Sequence, residues 1–239
     1  MTVSIIIPAH NEEESIVSTI EGVLASVRVP YELIVVLDHC TDRTEERVRS
    51  LMEQSPQLRI LRNEDRRGSF SNAVIVGFRG ASGDIIVPLM ADNCDDAEAI
   101  NAMAVEIIAG RADVVCASRY MKGGKKIGGP LLQGLLSRLV CFSTRLLTGI
   151  PTWDVANAYK MYNRRFLMNV KYDMPDWGTE YSMALLFRAY AAGASIKEIP
   201  TVWRGQGIPM AQEWRIFRRF PGYWYWYHRA IGRKIKPKE

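Results

Sequence analysis

Cysteine pairs, histidine and long apolar runs are all scarce in this chain of 239 residues. The four cysteines, Cys40, Cys94, Cys116 and Cys141, lie far apart, with no C-x-x-C pair and no zinc-ligand spacing. They read as reduced thiols of a cytosolic protein, which excludes a disulfide-stapled scaffold. No stretch approaches the roughly 20 uncharged apolar residues that a membrane-spanning helix needs. Residues 1–8 already carry a strand pattern, so no signal peptide is expected ahead of the fold. Internal repeats and low-complexity segments are absent. With only three histidines, a site built on histidine bases has little to draw on.

What is present is an ordinary globular composition, 48% hydrophobic and 24% charged. The length suits one large α/β domain, or a domain with an appendage. The net charge of +5 is unevenly placed. Acidic residues cluster at expected strand ends in the first hundred positions. Basic residues gather late, at Arg215, Arg218, Arg219, Arg229, Arg233, Lys234, Lys236 and Lys238. A basic end points to an anionic partner, nucleic acid or a membrane surface, or else to a solvated tail.

Short apolar runs alternate with amphipathic segments over the first 120 residues. Val3 to Pro8, Glu32 to Asp38, Leu58 to Leu61, Ile85 to Met90 and Asp113 to Ser118 read as strands. Glu12 to Ala25, Asp42 to Gln54, Ser71 to Ala81 and Asp95 to Ala109 read as helices. This rhythm predicts a mostly parallel sheet flanked by helices. Lys122 to Pro130, rich in Gly and Lys, reads as a mobile loop. Beyond it Leu131, Leu132, Leu135, Leu136, Leu139, Phe142, Leu146 and Leu147 recur at helical spacing, with Gln133, Arg138 and Arg145 between them. That is an amphipathic helix, whose broad apolar face is expected to pack on the parent domain, with a membrane interface as the alternative. The stretch Phe217 to Arg229 mixes aromatics with arginines, a pattern suited to lipid headgroups. Base stacking would use similar residues, but no nucleic-acid module accompanies them, so no nucleic-acid partner is expected.

The most informative segment is Gly83 to Asp96, where an apolar run empties into Asp92, Asp95 and Asp96. Ligands of open α/β sheets bind just beyond the carboxyl ends of strands. Carboxylates crowded there repel one another unless a cation neutralises them, which suggests Mg²⁺ or Mn²⁺ holding a diphosphate. A helix cap would account for one of the three. Two further strand ends carry acids: Pro8-Ala9-His10-Asn11-Glu12, and Asp38 followed by Asp42.

These pieces, with Gly68-Ser69-Phe70-Ser71-Asn72-Ala73, Gly77, Ser118-Arg119-Tyr120, Gly123-Gly124, Asp154 to Lys160, Glu180 and Glu198-Ile199-Pro200, occur in an order that resembles the family 2 glycosyltransferases. Within them the chain looks like the dolichol-phosphate mannose synthase type. The resemblance implies a single GT-A domain over residues 1–210, followed by a membrane-interface segment over residues 211–239. It also implies a nucleotide-diphosphate sugar bound by Pro8, Asn11, Glu12, Asp38, Asp42, Gly68 and Asp92, GDP-mannose first and UDP-glucose next. Asp92, Asp95 and Asp96 would hold the metal. Asp92, Arg119 and Asp154 would be catalytic, with Arg119, Asn157, Lys160, Glu180 and Arg204 around the acceptor, a polyprenyl phosphate. The protein would sit peripherally on the cytoplasmic membrane face, where a membrane-protein partner could join it.

Some chemistry follows without the resemblance. A phosphate monoester has its second pKa near 6, so its dianion attacks without a strong base. A hydroxyl acceptor would need one, for which Asp154 or Glu180 could serve. Two positions break the family pattern. Met90 stands where an Asp is usual, and its thioether is a poor ligand for a hard cation. Trp203 to Met210 looks shortened relative to the usual acceptor-phosphate segment. Two other readings therefore stay open: a soluble glycosyltransferase acting on a glycan or protein hydroxyl, and a non-catalytic nucleotide-sugar-binding subunit.

Overall fold

The computed structural model describes residues 1–174, 177–205 and 220–232. Seven strands form the central sheet. They are β1 (Val3–Ala9), β2 (Tyr31–Leu37), β3 (Leu58–Arg62), β4 (Ile85–Pro88), β5 (Val114–Ser118), β7 (Lys160–Asn163) and β8 (Ile196–Pro200). Their order is β3-β2-β1-β4-β7-β5-β8. All neighbours run parallel except β7, which is antiparallel to both β4 and β5. The near-continuous apolar strands suit a sheet buried on both faces. In β1, Ile5 and Ile7 pack into one core with helices α1 (Ile16–Ser26) and α4 (Ala99–Ile108). Ile6 points the other way, into a core built by α3 (Phe70–Gly80) and α7 (Glu180–Ala191). Gly77 is needed where α3 crosses β1, since a Cβ there would lie 2.3 Å from Ile6 Cγ2.

Chain order reverses between β1 and β4, because β2 and β3 lie to one side of β1 and the later strands to the other. That switch point opens the crevice in which such sheets bind ligands. The first five strands fall where the apolar runs predict, within a residue or two. Two helices start four residues later than expected. Residues Glu12 to Ser15 form a turn, and α1 begins at Ile16. Residues Asp92 to Glu98 likewise stay outside α4, because Asn93 holds a left-handed φ of 54° and Asp96 Oδ1 accepts the Glu98 N–H at 3.1 Å. The helix α2 (Thr44–Met52) completes this half.

The segment Lys122 to Pro130 is not simply a loop. It contains β6 (Lys125–Ile127), paired in parallel with β9 (Val202–Arg204), forming a two-stranded ribbon beside the sheet. Then come α5 (Leu131–Thr148), ended by Gly149 in a left-handed conformation, and the short α6 (Arg164–Met168). Only Cys141 and Thr144 of α5 are buried. Its leucines stand in solvent, Leu131 at 89%, Leu135 at 67% and Leu146 at 73% exposure. The expectation that this apolar face packs on the domain is therefore overturned: α5 leans on the body along a narrow stripe and turns its leucines outward. A last helix, α8 (Phe220–Gly232), packs against α5 and α7. Among the described residues, no helix is long and apolar enough to cross a membrane. The proposed boundary at residue 210 lies outside the described residues, as do Arg215, Arg218, Arg219, Arg233, Lys234, Lys236 and Lys238.

Candidate functional site

Three strand-to-helix corners meet at the switch point, and each is turned by a residue with positive φ: Asn11 (56°), His39 (51°) and Asn93 (54°). Asn and His tolerate that region better than most side chains, and such backbone concentrates at functional sites. The corners after β1 and β2 are stitched together. Asn11 Oδ1 accepts the Thr41 N–H at 2.8 Å, and the Glu12 N–H donates to Thr44 Oγ1 at 2.8 Å. Pro8 is buried in β1, paired in register with Val36. Asp38 is buried, and its Oδ1 accepts from Asn63 Nδ2 at 2.7 Å. Gly68 lies over that carboxylate, where a Cβ would sit 3.2 Å from both oxygens. Burial pushes the Glu12 carboxyl up in pKa, partly offset by the Ser15 hydroxyl, and the charges of Asp92 and Asp42 push the same way.

Asp42 is less a lining residue than a brace. Its Oδ1 accepts from Thr44 N–H and Oγ1, and its Oδ2 accepts the Glu13 N–H, bonds that outweigh burial and lower its pKa.

Beyond β4 the crevice deepens into a cavity of about 240 Å³. Met90, Asp92, Asp95, Arg119 and Asn157 line one end, and side chains of α5 and α8 form the other. Asp92 Oδ1 accepts the Cys94 N–H at 3.1 Å. Asp95 Oδ1 is buried without a hydrogen-bond partner. Burial, with the Asp92 charge next, pushes the Asp95 carboxyl up to about 7. Asp96 is a correction to the expected metal set. Its carboxylate caps the approach to α4, and it does not line the cavity.

Arg119 leaves the end of β5 and is gripped by Asp154. Nε lies 2.7 Å from Oδ2, Nη2 lies 2.8 Å from Oδ1, and the backbone N–H also donates to Oδ2 at 3.0 Å. Burial disfavours the cation, but the Asp154 charge and hydrogen bonds overcome this and raise its pKa. Asp154 itself is fully buried, and Oδ1 also accepts the Asn157 N–H at 3.2 Å. A carboxylate enclosed by these donors cannot reach an acceptor hydroxyl, so the expected catalytic role of Asp154 becomes one of positioning. The loop that carries it is held in turn by Glu198, whose Oε2 accepts from Thr152 Oγ1 and Trp153 N–H. Asn157 faces the cavity but donates from Nδ2 to the Ala117 carbonyl at 2.8 Å.

Three residues expected around the acceptor stand elsewhere. Lys160 is fully buried, and its ammonium donates to the carbonyls of Val155 and Asn157 and to Ser182 Oγ, leaving no proton for a phosphate. Glu180 begins α7 next to the cavity residue Thr179 but does not line the cavity: Oε1 accepts the Gly178 N–H at 3.1 Å and lies against Gly222 of α8, and Oε2 is buried without a hydrogen-bond partner. Arg204 is exposed. The cavity is lined by its neighbour Trp203, and alternate strand residues face opposite ways.

In their place the cavity takes Gln133 and Ser137 of α5, Thr179, and Tyr223, Trp224 and Tyr227 of α8. Gln133 and Ser137 are four residues apart, hence on one helical face, and they are the polar breaks in a leucine run. That spacing was the available signal. Tyr223 Oη lies 3.0 Å from Thr179 Oγ1, and Tyr227 Oη donates to Ser143 Oγ at 3.0 Å, so α8 is tied to both α7 and α5.

The donor set fits a divalent cation shared with a ligand. Asp154 already neutralises Arg119, which leaves the Asp92 and Asp95 carboxylates at the cavity, and Asp95 Oδ1 has no partner. Among the described residues, no group of three or more His, Cys, Asp or Glu side chains would hold a metal by itself. One or two carboxylates completed by phosphate oxygens and water is a usual arrangement for Mg²⁺.

Comparison with known proteins agrees with this geometry. The profile of glycosyl transferase family 2 matches residues 4–170. The dolichol-phosphate mannosyltransferase of Pyrococcus furiosus is 38% identical over 141 residues, 58% of this chain and 39% of that protein's length. The undecaprenyl-phosphate mannosyltransferase of Micrococcus luteus is 26% identical over 204 residues, covering 84% and 82% of the two chains. A solved glucosyl-3-phosphoglycerate synthase from Mycobacterium tuberculosis, in complex with Mn²⁺, UDP and glucosyl-3-phosphoglycerate, superposes over 100% of this chain and 81% of its own. The TM-score is 0.74 at 19% identity, a likeness of fold. The mostly parallel sheet flanked by helices is thus of the GT-A type, and the chain belongs to the family 2 glycosyltransferases.

Proposed function

We propose that this protein transfers a hexose from a nucleotide-diphosphate sugar to a polyprenyl phosphate at the cytoplasmic face of a membrane, inverting the anomeric carbon. One observation carries the reading. The cavity that begins at Asp92 and Arg119 runs between α5 and α8, and α5 turns a face of leucines outward beside it. A phosphate with an isoprenoid tail matches that layout, a charged end at the crevice and an apolar end at the helices. Arg138 and Arg145 stand among the leucines, stacked over Tyr120 and Trp153, so the surface combines apolar and cationic groups as an anionic bilayer requires.

Pro8, Asn11, Glu12, Asp38 and Gly68 form the nucleoside pocket in this reading, with Asp42 bracing it. Asp92 and Asp95 would hold Mg²⁺ or Mn²⁺ against the diphosphate, which when bound supplies charge neutralisation for the leaving group. Arg119, oriented by Asp154, binds the acceptor phosphate from the opposite side, with Gln133 and Ser137 adding polar contacts. Catalysis is positioning and charge neutralisation. A phosphate dianion needs no strong base, and Asp154, the base expected for a hydroxyl acceptor, is locked in its ion pair. In this reading Asp92 and Asp95 serve the metal, which leaves a phosphate as the better-suited acceptor. GDP-mannose is the first donor to try, given the two mannosyltransferase relatives, and UDP-glucose the second, given the UDP-bound structural neighbour.

The test is a lipid-extraction assay with purified protein, a short polyprenyl phosphate, Mg²⁺ or Mn²⁺, and radiolabelled GDP-mannose or UDP-glucose. Label should enter the organic phase from one donor. Binding of a nucleotide sugar with no transfer, reversed by Met90→Asp, would instead identify a non-catalytic binder with a weakened metal site.

A further inference from the structure

We infer that Trp177 is a positioning residue that couples the seating of α8 on a membrane to binding of the donor nucleotide. The inference rests on the membrane reading above and names a link between its two sites. The indole of Trp177 packs on two rings of α8, Tyr225 at 5.8 Å between centroids and Trp226 at 5.5 Å. Trp226 is buried, whereas Tyr225 is about half exposed, as is the neighbouring Trp224 at the cavity rim.

The main chain of Trp177 is bonded both ways to Ser71, in the first turn of α3. Its N–H donates to Ser71 Oγ at 2.8 Å, and Ser71 N–H donates to its carbonyl at 3.1 Å. Ser71 is fully buried, and its hydroxyl lies 3.2 Å from Ser69 Oγ. Ser69 Oγ accepts the Asn72 N–H at 3.1 Å, while Asn72 Nδ2 donates to the Arg67 carbonyl at 2.9 Å. Residues 63–69 are thereby fixed at their α3 end. At their other end Asn63 holds Asp38, and the Asp65 carbonyl bonds His39 Nε2 at 2.8 Å. Gly68, between these anchors, covers the Asp38 carboxylate.

A contiguous series of contacts therefore runs from the exposed face of α8 to the nucleoside pocket. A helix end that lipid holds in place also holds the Trp177 stack, and with it residues 63–69. The nucleotide then meets a loop already ordered, and the ordering cost no longer weakens its binding. Linkage makes the effect mutual: nucleotide must tighten membrane binding by the same factor.

The experiment measures binding of GDP and of UDP to the full chain with Mg²⁺, by calorimetry, with and without vesicles of phosphatidylcholine and phosphatidylglycerol. The vesicles contain no polyprenyl phosphate, so no acceptor is present. Vesicles should tighten the nucleotide that binds by about fivefold or more. Trp177→Ala should bring that ratio to one while leaving vesicle-free affinity roughly unchanged, and Trp177→Phe should keep it. If Trp177→Ala fails to fold, Tyr225→Ala at the outer end of the stack should show the same loss. A folded Trp177→Ala or Tyr225→Ala protein with undiminished coupling overturns the inference. So does a wild-type protein that binds vesicles with no change in nucleotide affinity, although the membrane reading survives that result. A protein that binds no vesicles, or neither nucleotide, fails the underlying reading and the inference together.

Discussion

The guanidinium of Arg119 lies edge to edge with the carboxylate of Asp154, at 2.7 and 2.8 Å, with the arginine side chain 11% exposed and the aspartate fully buried. Removing one partner of such a pair leaves an uncompensated buried charge, at a cost of about 3–5 kcal/mol. Asp154→Ala should therefore lower the melting temperature markedly and abolish transfer. Arg119→Lys should remain better folded yet lose most transfer, because an ammonium cannot reproduce the two-point contact. Thermal melts and the lipid-extraction assay on both variants check this. A stable, active Asp154→Ala protein would show that the pair does not position Arg119.

Asp92 is the acid common to the crevice and the cavity. Asp92→Ala should reduce transfer by roughly a hundredfold or more, with little change in circular dichroism. Near-normal turnover from a folded variant would remove Asp92 from the site.

Asp95 links pH to stability in a direction opposite to most carboxylates. Its folded pKa, about 7, stands above the ordinary 3.8. The folded state therefore holds a proton that the unfolded state has released between those values. Stability contributed by Asp95 is present at the acid end of that window and lost as pH rises toward 7. In EDTA, Asp95→Asn should flatten this decline and melt higher than wild type at pH 8. Parallel melting curves for the two proteins from pH 5 to 8 would contradict the assignment.

The outward leucines of α5 make a prediction on two readouts at once. Leu135→Ser with Leu139→Ser should leave the melting temperature nearly unchanged, since exposed positions contribute within about 0.5 kcal/mol. The same protein should bind anionic vesicles far less. A drop of several degrees without loss of vesicle binding would mean that these side chains pack on protein after all.

Four of the five strands of the first half were legible because each is an apolar run, mostly buried and closed by a polar corner, and the edge strand β3, with only Leu58 buried, because its apolar residues still stand between polar turns. The insertion of β7 was not. Lys160-Met161-Tyr162-Asn163 is short and starts on a lysine, and its place between β4 and β5 depends on pairing with residues about 45 and 75 positions earlier. The site divided along similar lines. Acids at strand ends were readable, since topology alone puts them at the crevice. The roles of Lys160, Asp154 and Glu180 were misread because sequence gives a charge but not what surrounds it. Gln133 was seen only as a break in the leucine run and Ser137 was passed over, because such a run draws attention to its apolar face.

The strand order carries one more consequence. Leaving the sheet at the end of β5 and re-entering it at β7, the chain makes an excursion that contains β6 and α5 and supplies much of the cavity wall. Arg119 stands at the point of departure and Asp154 shortly before the return, so the pair staples the excursion shut at its base. The sheet strands β1 to β4 make no part of this excursion, so exchanging it should leave them undisturbed, provided both halves of the staple travel with it. Chimaeras that swap residues 119–154 as a block should fold, whereas swaps that separate the arginine from its aspartate should not.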